Sequence, residues 1–162
     1  MTSIILYSTN NKIRYISQII QEKTNSKCVE IKDLKKKTGF MGNLRNNFNA
    51  LSSKKTDIEP EHIDLTSYDL ILIGTPSTFG GISPAISTFI DKNSFKNKNI
   101  ILFTTTNSRQ GYDVLNKMKK KIENKEGKII NTFIMRVNNK NKEELKINTL
   151  KVIKELDLDL YI

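Results

Sequence analysis

Apolar residues in this chain gather in short runs, and helix-spaced patterns separate the runs. Residues 3–7 (SIILY) form a run suited to a strand buried on both faces. Ile13, Ile16, Ile19 and Ile20 then recur at helical spacing and predict one apolar helix face. Residues 27–32 (KCVEIK) alternate, with Cys28 and Glu30 on one side and Val29 and Ile31 on the other, as in a strand with unlike faces. A third strand is predicted over 69–74, a helix over 84–91 and a fourth strand over 99–104. Residues 112–122 carry Val114, Leu115, Met118 and Ile122 on one helical face. A fifth strand over 128–137 and a helix over 142–156, with Leu145, Leu150 and Ile153 among its apolar positions, complete the pattern.

Five strands alternating with helices predict an α/β chain with a doubly wound parallel sheet and right-handed crossovers. Residues 33–68 break the rhythm, because they form a connection far longer than usual. Within them Phe40, Leu44, Phe48 and Leu51 are spaced by four, four and three residues. That spacing predicts an extra amphipathic helix between the second and third strands. Lys35, Lys36, Lys37, Arg45, Lys54 and Lys55 surround it. They suit either the solvated rim of a covering helix or a docking surface for an acidic protein partner.

The 162 residues, 1–162, suit one domain. No apolar run approaches the ~20 residues of a membrane span. The first residues lack the basic and small-residue features of a secretory signal, so a cytoplasmic location is expected. Cys28 is the single cysteine and His62 the single histidine, which excludes an internal disulfide and disfavours a zinc site. His62 lies in a charged stretch, EPEHID, and reads as solvated; no Ser-His-Asp or Cys-His constellation is present. The formal charge of +10 points to acidic partners or to compositional bias. Lysine outnumbers arginine 23 to 4, so the residue favoured for reading phosphates and bases is scarce. No basic–aromatic alternation supports specific nucleic-acid binding.

Three polar loops follow the first, third and fourth strands, at the sheet edge where open α/β folds bind ligands. The first comprises Ser8, Thr9, Asn10, Asn11 and Lys12, leading into a helix at Ile13. A helix N-terminus binds phosphate through its unpaired amides and its dipole. Thr9 or Asn10 also suits a plain helix cap. The second loop carries Thr75, Pro76, Ser77, Thr78, Phe79, Gly80, Gly81 and Ser83. The third carries Thr104, Thr105, Thr106, Asn107, Ser108, Arg109, Gln110 and Gly111. Small, hydrogen-bonding walls of this kind suit a flat ring system. Phe79 or Tyr112 is placed to stack on it, while Phe79 equally suits packing against the covering helix.

Over essentially its whole length the chain resembles a short-chain flavodoxin. The resemblance rests on strand–loop–helix 4–20, the turn Gly74-Thr75-Pro76 with Pro84-Ala85-Ile86, and the loop 102–111. Residues 30–60 are similar to the matching segment of a flavodoxin-like subgroup from anaerobic archaea and bacteria, and the stretch GTPSTFGGISPAI has that subgroup's usual loop length. The resemblance implies a five-stranded parallel sheet in the order 2-1-3-4-5 and flavin mononucleotide (FMN) as cofactor. It implies that Ser8, Thr9, Asn10, Asn11, Lys12 and Ile13 hold the FMN phosphate. Thr75, Pro76, Ser77, Thr78, Phe79 and Gly80 would cover one face of the flavin. Thr105, Thr106, Asn107, Ser108 and Gly111 would line the other side and the pyrimidine edge.

Departures from the family pattern are local. Asn11 stands where glycine is usual, Lys12 for asparagine, Ile13 for threonine and Thr78 for a stacking Trp or Tyr. Asn tolerates positive φ better than most residues. The resemblance implies an electron-transfer protein with redox protein partners, acidic ones suiting this basic chain. Two alternatives stand beside it: an FMN-dependent NAD(P)H or quinone-type reductase, and a flavodoxin-like module that has lost FMN. No carboxylate occurs in the loops before Asp113, whereas Lys12 and Arg109 are cationic. A less negative low-potential couple than that of an acidic flavodoxin is therefore expected. A receiver domain, the other doubly wound fold of this size, needs acidic residues where Tyr7-Ser8 and Gly74-Thr75 end their strands.

Overall fold

Buried aliphatic runs become the central strands, and the helix-spaced segments cover them. The computed structural model describes residues 3–8, 10–34, 55–77 and 80–158. Its strands are β1 (Ser3–Ser8), β2 (Lys27–Asp33), β3 (Ile58–Glu59), β4 (Leu70–Pro76), β5 (Asn99–Thr106) and β6 (Lys128–Arg136). Its helices are α1 (Asn11–Thr24), α2 (Pro84–Lys92), α3 (Gly111–Glu123) and α4 (Lys142–Glu155).

The strand order is β3-β2-β1-β4-β5-β6. Strands β2, β1, β4, β5 and β6 are parallel and reproduce the expected 2-1-3-4-5 order. The expectation of five strands is corrected to six, because β3 adds an antiparallel edge beside β2. Its two residues are too few to show a period. Contacts distant in sequence place them: Leu34 N donates to Asp57 O at 2.9 Å, and the Thr56 hydroxyl donates to Asp33 Oδ1 at 2.7 Å. The helix expected around Phe40–Leu51, with most of its basic residues, lies outside the described residues.

Strand alternation sorts the core into two layers. Leu6, Ile73 and Leu102 face Phe89 of α2 and Val114 and Met118 of α3. Ile5, Leu72 and Phe103 face Ile16 and Ile20 of α1 and Leu145 and Ile153 of α4. Both sheet faces are thus covered, as a parallel sheet requires. Gly74 marks a close approach within the second layer. A Cβ there would lie 2.2 Å from Phe103 Cζ, and that ring stacks on Phe133 with centroids 5.0 Å apart.

β4 and β5 continue two residues past the apolar runs that announce them. Thr75 pairs with Thr104 and Pro76 with Thr105, so the hydroxyl-bearing residues extend the ladder. The Thr104 hydroxyl, fully buried, donates to Thr75 O at 2.7 Å. The polar loops therefore begin on rigid strand ends.

Candidate functional site

Strand β1 lies between β2 and β4, and the chain winds first to one side and then to the other. The crevice beyond the ends of β1 and β4 is the topological switch point, where open α/β sheets bind ligands. Ser8 ends β1 there, and Thr75 and Pro76 end β4.

Asn10 caps α1 from an extended backbone conformation. Its side-chain oxygen accepts from Lys12 N at 3.0 Å and Ile13 N at 2.9 Å. These are two of the amides that a helix N-terminus offers an anion. Asn10 and Asn11 are exposed. The Ile13 side chain is fully buried in the layer under α1 and α4, so only its backbone faces the loop. Lys12 turns away from the loop, and its Nζ donates to Val137 O at 2.5 Å. Thr9 lies outside the described residues.

The second loop is anchored by a buried hydroxyl network. Ser83, the N-cap of α2, donates from Oγ to Ser8 Oγ at 2.6 Å. The same oxygen accepts from Ile86 N at 3.3 Å. Ser83 N donates to Thr75 Oγ1 at 3.1 Å, and the Ser8 and Thr75 hydroxyls lie 3.5 Å apart. Ser8 and Thr75 thus bond inward, tying the ends of β1 and β4 to the start of α2. Ser77 N donates to Thr105 O at 2.8 Å, which aligns the second loop with the third. Gly80 has a φ of +72°, which favours glycine, and its carbonyl accepts from Lys117 Nζ at 2.7 Å. Thr78 and Phe79 lie outside the described residues.

The third loop bonds to itself. Thr106 Oγ1 accepts from Ser108 N at 3.1 Å, and Gln110 N donates to Ser108 Oγ at 3.2 Å. Thr105 and Thr106 are buried, whereas Asn107 and Ser108 are exposed. Gly111 begins α3 against Ile134 and Thr106, whose nearest atoms would lie 3.1 Å from an added Cβ. Tyr112 is 67% exposed.

The structure therefore brings Ser8, Asn10, Thr75, Ser77 and Thr105 to one sheet edge, and it directs the Lys12 ammonium elsewhere. In the described parts of the three loops the polar groups are amides, hydroxyls, Lys12 and Arg109; the nearest following acid is Asp113, in the first turn of α3. Under α1, Arg14 pairs with Glu30 at 2.8 Å. Burial, followed by the charges of Cys28 and Glu30, raises the Tyr7 hydroxyl above its ordinary pKa, and Arg14 opposes that rise. Burial pushes the Cys28 thiol up to about 11, with Glu30 adding to the effect. A neutral thiol of this kind is a poor nucleophile or metal ligand.

Sequence reasoning missed two features. Lys117 clamps Gly80 from 37 positions away. A groove of about 300 Å³ lies beside the third loop, with Arg109, Arg136, Lys140 and Lys151 around Tyr112. Its only sequence signal is the run of cations from Arg136 onward.

A family model described as flavodoxin matches residues 49–146. No curated protein matches the chain. Among solved structures, a candidate flavoprotein from Bacteroides uniformis superposes with a TM-score of 0.75 at 19% identity, covering 94% of this chain and 97% of that one. A flavoprotein from Lactobacillus acidophilus, crystallised in complex with FMN, gives 0.62 at 20% identity over 83% and 92% of the two chains. General stress protein 14 from Treponema denticola, also in complex with FMN, gives 0.60 at 10% identity over 97% and 98%. At these identities the likeness is one of fold.

Proposed function

The chain belongs to the flavodoxin family, and from that premise we propose that it is a single-domain, cytoplasmic, FMN-binding electron carrier. The observation that carries this reading is the α1 N-terminus at the switch point, where a neutral, exposed carboxamide occupies two backbone amides. A phosphate accepts from the same donors with the added benefit of the helix dipole. The donor set therefore fits the FMN phosphate once Asn10 yields its place. FMN-bound neighbours of the same fold support the choice of flavin.

In this reading residues 8–13 receive the phosphate through backbone amides, with the Asn10 and Asn11 side chains beside it. Residues 75–80 and 105–111 form the two walls of the ring site. Their polar groups, Arg109 apart, are neutral, and they hydrogen-bond the ring edges without placing an anion beside them. The hydroxyl network of Ser8, Thr75 and Ser83 anchors the first wall to the end of β1 and the start of α2. FMN supplies the electron-accepting and electron-donating chemistry, and the chain supplies binding, orientation and electrostatics.

A second reading, a flavodoxin-like module without FMN, draws on the self-satisfied first loop and on Lys12 bonded to Val137. Both readings meet the same experiment. Purified protein that takes up added FMN, with quenched flavin fluorescence, supports the carrier; colourless protein that leaves free flavin fluorescence unchanged supports the module.

A further inference from the structure

The geometry points to the groove beside the third loop as a docking surface for an acidic segment of a protein partner. It lies at the carboxyl end of β6, the last strand of the sheet, between the start of α3 and the outer face of α4. Arg109, Arg136 and Lys151 are exposed, and Lys140 is half-buried. Among the described residues Glu155 is the single carboxylate lining the groove, and it lies 3.7 Å from Lys151. Among the described residues no acid forms an ion pair with Arg109, Arg136 or Lys140. Three cations with no ion-pair partner among the described residues thus converge on one opening, in a chain whose formal charge is already +10.

The occupant is argued from charge and from the form of the site. Small-molecule pockets enclose most of their ligand and fix it with a few precisely placed polar groups. Among the described residues the one buried side-chain polar atom without a partner is Ser17 Oγ on α1, away from this groove. The groove instead has an exposed aromatic, Tyr112, among exposed arginines, over a half-buried floor of Ile134 and Val152. Tyr and Arg are enriched in protein interfaces, and a one-signed rim steers an oppositely charged partner. Arg109 belongs to the loop that forms one wall of the proposed flavin site. A partner seated here would lie beside that wall. The partner's identity as an electron donor or acceptor rests on the reading above, whereas the docking itself does not.

The test uses the full chain, with and without added FMN, and a peptide rich in Glu and Asp that carries a red-emitting label clear of the flavin bands. Binding is followed by anisotropy at low salt. The variant Arg136→Glu/Lys140→Glu should weaken binding by about tenfold or more, as expected when local charges set the contact. The control Lys23→Glu/Lys27→Glu makes the same change in net charge at the end of α1 and the start of β2, on the far side of the sheet from β6, and should weaken binding by less than about twofold. Equal losses in the two variants overturn the groove and leave only diffuse attraction. So does a single-stranded oligonucleotide of equal charge that binds more tightly and loses affinity in the groove variant. A flavin spectrum of the same samples is the separate readout: missing flavin uptake sinks the carrier reading, and missing groove dependence sinks the docking surface.

Discussion

Lys12 Nζ donates to the carbonyl oxygen of Val137 at 2.5 Å, joining the first turn of α1 to the residue after β6. The bond spans 125 positions and closes the sheet edge on the side of α1 and α4. Lys12 therefore acts as a strap across the domain, and its charge is spent away from the first loop. Lys12→Met should lower stability by about 1 kcal/mol, the usual net worth of such a bond. Urea unfolding measures this. The same variant should hold FMN within about threefold of the parent, whereas a loss of about tenfold, or 1.4 kcal/mol, would place the ammonium on the phosphate.

Ser83 serves two partners with one hydroxyl, donating to Ser8 and accepting from Ile86 N. Ser83→Ala removes a helix cap and a buried hydrogen bond together, so a loss of about 2 kcal/mol is expected. Ser8→Ala should cost less, because it leaves the cap. A double-mutant cycle should give a coupling of about 1 kcal/mol between them. Additive losses would show that the two hydroxyls do not cooperate.

Gly74→Ala pushes a methyl into the Phe103 ring, whose far face is already stacked on Phe133. Overpacking of this kind costs about 3 kcal/mol when the ring cannot retreat. Phe103→Leu in the same chain should recover part of the loss. A melting temperature unchanged by Gly74→Ala would contradict the packing described for this layer.

Cys28 titrates near 11 in the folded chain, above the usual thiol value of 9.0. Burial is the main cause, and Glu30 adds to it. The folded state then holds the proton over a range in which the unfolded state has released it. Stability from this group is complete below pH 9 and falls as pH rises towards 11. Cys28→Ser should remove that part of the slope in alkaline unfolding curves. A thiol reagent at pH 8 should label the native protein far more slowly than the unfolded protein.

The sequence made the central architecture legible because strands buried on both faces must be apolar throughout. SIILY, LILIG and NIILF leave little choice. Helix faces at Ile13–Ile20 and Val114–Ile122 were equally plain, and the Asn10 cap is readable because its partners lie two and three residues away. The edge strand Ile58–Glu59 was not readable, since its pairing with Lys32 and Asp33 is a tertiary event that two residues cannot announce. The sequence does not show that the strands run on through Thr75–Pro76 and Thr105–Thr106, because polar residues that bond inward look the same in sequence as loop residues. The partner of Lys12 was beyond reach for the same reason. A lysine beside a phosphate-type loop suggests a ligand, and only the fold reveals the carbonyl it meets.

Titration of the purified chain with FMN, followed by flavin fluorescence and thermal unfolding, tests the central claim most directly. The carrier reading predicts quenching that saturates at one flavin per chain. It also predicts a gain of about 2.7 kcal/mol in stability when free FMN reaches a hundredfold excess over its Kd. Fluorescence that stays at the level of free flavin, with unfolding unmoved by FMN, would contradict it.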